Sequence, residues 1–162
     1  ALSVALGVAA SAQDITLTLP IACEIGRTCL VQHYVDSDPS ATAKDYRCGT
    51  LTYDGHDGTD IRVPTMAAQK AGVDVLAAAA GTVLRIRDTA PDVSVAVLGK
   101  DKVKDSECGN GAVVDHGGGW QTQYCHLSQA SIAVKPGDVV KAGDRIGRVG
   151  LSGLTEFPHV HF

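Results

Sequence analysis

The stretch Pro158-His159-Val160-His161-Phe162 constrains this chain more than any other. In an extended strand successive side chains point to opposite faces, so His159 and His161 project from one face, side by side. Two imidazoles on one face suit a zinc ion, which takes neutral histidine nitrogens and carboxylate oxygens in a roughly tetrahedral shell.

A metal needs further donors, and Asp54-Gly55-His56-Asp57-Gly58-Thr59-Asp60 offers them. In a straight strand His56 and Asp60 would stand roughly 13 Å apart. They can share an ion only if the chain bends between them, and Gly55 and Gly58 tolerate such a bend. His126, in Tyr124-Cys125-His126-Leu127, is another candidate. A catalytic zinc takes three protein ligands and keeps an open position, which leaves two of these four histidines for acid and base work. Spacing alone does not say which histidines bind and which react. Each motif is a weak signal by itself; together, in a chain with six histidines, they point to a metal site. A calcium loop over 54–60 fails, because the alternate positions Asp54, His56 and Gly58 are not three oxygen donors.

These residues resemble, in order, the LytM and lysostaphin type of zinc metallopeptidases, which hydrolyse peptide cross-links of bacterial cell walls. The resemblance runs through Gly55-His56-Asp57-Gly58-Thr59-Asp60, then His116-Gly117 to Tyr124-Cys125-His126-Leu127-Ser128. It continues with Val134-Lys135-Pro136-Gly137-Asp138-Val139-Val140, Gly147-Arg148-Val149-Gly150 and Pro158-His159-Val160-His161-Phe162. It covers residues 53–162. It implies Zn2+ as cofactor, His56, Asp60 and His161 as metal ligands, His126 and His159 as catalytic residues, and a structural place for His116. It also implies an all-β fold, an antiparallel β-sheet or sandwich of short strands with an open active-site groove. The implied partners are peptidoglycan stem or bridge peptides, either glycine bridges or links containing D-alanine. The chain has no H-E-x-x-H, so histidine must do the work of that motif's glutamate base. A rival reading is a non-hydrolytic binding or regulatory module that activates other cell-wall hydrolases; the presence of all five site residues argues against it. The family pattern continues past Phe162, which predicts incomplete pairing of the H-x-H strand.

Residues 1–12 are uncharged and apolar and end in Ala10-Ser11-Ala12, which reads as the remnant of a secretory signal peptide cleaved before Gln13. Without a basic region or initiator Met, the chain is expected to begin inside a longer product, exported to the periplasm or the exterior. The run is too short for a membrane span. Residues 13–52 form an N-terminal extension, and 53–162 the peptidase domain with its C-terminal end truncated. A net charge of −4 provides no basic field for nucleic acid or anionic membranes.

Five cysteines in an exported chain imply disulfides. Cys108 and Cys125 flank a predicted hairpin, with one strand at 112–115, a turn at Gly117-Gly118-Gly119 and a second strand at 120–127, so they are expected to pair. Cys23 with Cys29, or Cys29 with Cys48, is the next candidate. Strict alternation along 120–127 would turn Cys125 away from the site and put Trp120, Thr122 and Tyr124 on the face of His126. His33 has no ligand-type spacing around it and reads as a surface or packing residue. Residues 13–52 add an edge strand or lie across one end of the groove.

Further on, Pro64–Gly72 predicts a short helix, and 73–77, 81–87 and 94–98 predict strands. Lys100–Asp105 is a mixed-charge loop, and 88–107 is long enough to form a groove wall. The glycine-punctuated stretch 130–150 predicts short strands and tight turns. It also resembles biotin or lipoate carrier barrels, with Lys141 as the modifiable lysine, but that reading leaves the histidines unexplained.

Overall fold

The computed structural model describes residues 14–162, so the leader-like stretch and its cleavage site lie outside the described residues. The strands are β1 (Leu30–His33), β2 (Asp60–Arg62), β3 (Asp74–Leu76), β4 (Gly81–Arg87), β5 (Asn110–Gly117), β6 (Trp120–Leu127), β7 (Val139–Val140), β8 (Arg145–Arg148) and β9 (His159–His161). Seven of them form one antiparallel sheet in the order β1-β2-β9-β6-β5-β4-β7, while β3 and β8 pair separately. This is the all-β, antiparallel architecture that the sequence leads one to expect.

Strand β9 lies between β2 and β6. Asp60 pairs with His161 and Arg62 with His159 on one side, and Cys125 pairs with His161 on the other. The H-x-H strand therefore has neighbours on both edges, and the incomplete pairing expected there is not found. Alternation sorts its side chains. Ile61 and Val160, opposite one another, are buried in the core, whereas Asp60, His159 and His161 belong to the other face. Burying each aliphatic side chain contributes roughly 1.5–3 kcal/mol. A one-residue slip would exchange them for histidines and a carboxylate, so the core fixes the register of the site.

The β5–β6 hairpin turns at Gly117-Gly118-Gly119, all with positive φ. It carries the expected Cys108–Cys125 disulfide, Cys23 pairs with Cys29, and Cys48 is exposed and unpaired. Tyr124, fully buried, accepts a hydrogen bond at Oη from the Ala78 N–H (2.8 Å) and lies 3.0 Å from Thr122 Oγ1. Thr122 Oγ1 meets His116 Nε2 at 2.8 Å, and His116 Nδ1 donates to the Ala80 carbonyl at 2.7 Å. This chain of bonds ties residues 78–80 to the hairpin and accounts for His116 as a structural residue. Tyr124→Phe leaves the buried Ala78 N–H without an acceptor. It is expected to lower the unfolding free energy by about 1–3 kcal/mol, read as a lower urea midpoint at unchanged slope.

One expectation needs correction. Residues 94–98 do not form a strand: Ser94 caps a short helix, Val95–Leu98, with Val95 buried. β4 already has β5 and β7 on its two edges, so no edge was left for a returning strand. In the extension, β1 supplies the sheet edge, while residues 15–19 form no strand and Thr18 N–H donates to Ala78 O at 2.8 Å. The helix predicted between Pro64 and Gly72 is present at Met66–Ala71, capped by Thr65. No helix among the described residues is long and apolar enough to cross a membrane.

Candidate metal centre

The bend between His56 and Asp60 is built by its glycines. Gly55 has φ +75°, the left-handed region that favours glycine, and His56 N–H closes a turn onto the Tyr53 carbonyl at 3.1 Å. Gly58 acts differently, since a Cβ there would collide with the imidazole of His161. Thr59 and Phe162 then exchange backbone hydrogen bonds at 2.7 and 3.0 Å, which leads the chain into β2 at Asp60.

The bend brings three donor atoms together. His56 Nε2 and His161 Nδ1 stand 3.2 and 3.0 Å from Asp60 Oδ1, and 3.2 Å from each other. His56 and Asp60 are buried, and these ligand-type atoms form the one metal-capable cluster among the described residues. The edge of a tetrahedral shell with zinc–nitrogen and zinc–oxygen bonds of about 2.0–2.1 Å is roughly 3.3 Å, so the triangle fits one face of such a shell. Tautomers fit as well. His56 Nδ1 donates to the Tyr34 carbonyl at 2.7 Å, which leaves Nε2 with a lone pair toward the triangle. His161 Nε2 faces the exposed carboxylate of Asp57 at 3.4 Å. Burial works to raise the Asp60 carboxyl pKa, but the imidazoles of His159, His161 and His33 around it outweigh that and hold the group ionised, well below the usual carboxylate range.

Two more histidines flank the triangle, with ring centroids 4.7 Å apart. His159 Nδ1 donates to the Phe157 carbonyl (3.0 Å) and lies 3.1 Å from Thr155 Oγ1, and its Nε2 stands 3.4 Å from Asp60 Oδ1. His126 Nδ1 donates to the Ser152 carbonyl at 2.8 Å. In both rings Nε2 is therefore the atom that can take a proton. Burial first, and the neighbouring His159 second, pull the His126 pKa down to about 3, so that this ring is neutral at physiological pH.

The sequence order of this site has a counterpart in a known family. The model for Peptidase family M23 matches residues 54–162, from the bend to the end of the H-x-H stretch. The chain belongs to peptidase family M23. ShyB of Vibrio cholerae, a peptidoglycan DD-endopeptidase, is 31% identical over 107 residues, covering 66% of this chain and 20% of that protein. The chain spans about one fifth or less of the length of the curated relatives it matches. A variant catalytic domain of the prophage-encoded M23 protein EnpA from Enterococcus faecalis superposes with a TM-score of 0.56 at 24% identity, over 86% of this chain and 82% of that one. A chain of the SpoIIIAH–SpoIIQ complex superposes with a TM-score of 0.60 at 20% identity, over 90% and 88%. At these identities the structural likenesses bear on the fold alone.

In this M23 chain His126, His159 and His161 line a groove formed by two adjoining hollows of about 290 and 340 Å3. The 88–107 segment lines it with Val95, Lys100 and Glu107, and the 13–52 extension with Gln32 and His33, next to Tyr53. Strict alternation along β6 does not hold. Asn110 pairs with Leu127 but Ala112 with Tyr124, so β6 carries one extra residue, and His126 has φ +62°. A non-glycine residue in this region costs of order 1–3 kcal/mol, and here the bond from His126 N–H to the Cys108 carbonyl (2.8 Å), the Ser152 carbonyl and the disulfide hold it in place. The bulge sends Tyr124 into the core while Cys125, with Cys108, lines the groove beside His126. The expectation that Cys125 points away from the site, with Tyr124 on the face of His126, is thereby overturned. His33, expected as a surface or packing residue, does pack against Tyr53 and His56, and in addition its Nδ1 lies 3.1 Å from Asp60 Oδ2. Residue spacing carries no signal for that contact, which joins strands 27 residues apart.

Proposed function

We propose that this chain is a zinc metalloendopeptidase that hydrolyses peptide cross-links of bacterial peptidoglycan. His56 Nε2, Asp60 Oδ1 and His161 Nδ1 are the metal ligands, and His126 and His159 are the catalytic acid-base residues. The observation that carries this reading is the triangle of donor atoms, 3.0–3.2 Å on its edges, with two more histidines beside it whose Nδ1–H groups are already committed. Zinc in such a site supplies a Lewis acid, which polarises a peptide carbonyl and lowers the pKa of a water to about 7. The protein's part is to move protons. His159 and His126 present Nε2 to accept the proton of the attacking water, to hydrogen-bond the developing oxyanion once protonated, and to return a proton to the leaving amine.

In this reading residues 53–162 form the peptidase unit, and the 13–52 extension adds the sheet edge and part of one groove wall. The name of ShyB favours D-alanine-containing stem-peptide links over glycine bridges. Two disulfides fit an oxidising compartment, which supports export to the periplasm or beyond. A regulatory module that activates other cell-wall hydrolases is the rival reading. The complete donor set favours hydrolysis.

The deciding experiment is digestion of purified peptidoglycan with and without a zinc chelator, followed by mass spectrometry of the released fragments. Chelator-sensitive release of fragments cut at the D-alanine cross-link is expected. No release from several wall types by protein that holds stoichiometric zinc would overturn the hydrolytic reading in favour of the regulator.

A further inference from the structure

Strand β1 lies outside the M23 match, yet residues at its end touch two of the three proposed ligands. Its register with β2 sets His33 opposite Asp60. Asp60 is opposite His161, and His161 opposite Cys125, so one row of neighbours crosses four adjacent strands. Directly opposed residues share a face, with Cβ atoms about 4.5–5.5 Å apart. In this row His33 Nδ1 reaches Asp60 Oδ2 at 3.1 Å, whereas His56 and His161 both meet Oδ1. An ionised carboxylate only accepts, so His33 Nδ1 carries the proton. One residue further on, the Tyr34 carbonyl takes the proton of His56 Nδ1.

We infer that His33 is a positioning residue of the metal centre, acting through Asp60, and that the end of β1 is the cradle in which two of the three ligands are oriented. This rests on the ligand assignment proposed above. A carboxylate free to rotate can offer either oxygen, or both, to an ion. With Oδ2 held by His33, Oδ1 is turned toward His56 and His161. The ring of His33 is itself fixed, packed edge-on against Tyr53 and His56 with centroids 5.3 and 5.8 Å away. His33 is not a fourth ligand, since its nitrogen faces the oxygen on the far side of the carboxylate from the triangle and lies outside the metal-capable cluster. Nor is it core packing: its side chain is 29% exposed and borders the groove.

Zinc affinity of the full chain, measured by competition with a chromogenic chelator, tests this. His33→Ala is expected to weaken zinc binding by about 10–100-fold, the usual effect of removing a group that orients a metal ligand. His33→Asn is expected to restore most of it, because the asparagine amide can place an N–H where Nδ1–H stood. The urea midpoint of metal-free His33→Asn should match the wild type, and that of His33→Ala should fall by no more than one hydrogen bond to Asp60 contributes, whereas a purely structural role would move it further. Unchanged zinc affinity in His33→Ala, or a loss matched by that further fall in the metal-free midpoint, would overturn the inference while leaving the ligand assignment intact. A wild-type chain that binds no stoichiometric zinc would overturn the assignment itself.

Discussion

His161→Ala is expected to abolish tight zinc binding and hydrolysis together. The substitution removes Nδ1 from the donor triangle and leaves His56 and Asp60 as a pair. Loss of a group that merely orients a ligand costs about 10–100-fold in metal affinity, so loss of the ligand should exceed about 100-fold. Hydrolysis should fall by at least about 1,000-fold, because several kcal/mol of transition-state stabilisation go with the ion, at about 1.36 kcal/mol per factor of ten. The fold should survive, since Val160 and not His161 fills the core and the backbone pairing of β9 with β2 and β6 does not involve the side chain. Chelator competition and a fragment-release assay on one preparation read both effects. Wild-type zinc affinity in His161→Ala would sink the ligand assignment.

His159→Ala should separate what His161→Ala joins. Its ring takes no part in the triangle, so stoichiometric zinc should be retained while kcat falls by about 10²–10⁴-fold, the usual contribution of a positioned acid-base group. His126→Ala should behave alike. The double variant should lose much less than the product of the two single effects, because residues that act as a unit are not additive. Full activity in His159→Ala with zinc bound would show that the proton passes elsewhere.

The parts of this site that follow local geometry were legible in the sequence. The period of two in His159-Val160-His161 predicts a shared face, and glycines beside His56 predict the bend that lets it meet Asp60. The cysteines at the ends of a hairpin predict their own pairing. What failed depends on non-local pairing. The bulge at His126 breaks the alternation that would set Tyr124 beside it, and its left-handed backbone is held by the Cys108 and Ser152 carbonyls, which come from distant parts of the chain. Ser94–Leu98 has the apolar residues of a strand, but both edges of β4 are taken by β5 and β7, and Ser94 caps a helix turn instead. His33 gave no signal because its meaning lies in the register of β1 against β2, and neither strand's own pattern contains that register.

The placement of β9 also bears on how the molecule comes into being. The β5–β6 hairpin is local and can form within microseconds. Strand β9 must instead be inserted between β6 and β2, and the bond from His161 to Asp60 spans 101 residues of chain. Closing loops of that size costs chain entropy before any contact repays it, which makes such pairings late events. The proposed ligands from the bend and from β9 meet only in that step, so a nascent or partly folded chain holds no complete donor triangle. In the proposed reading, the donor set for the metal thus arrives only with the finished tertiary structure.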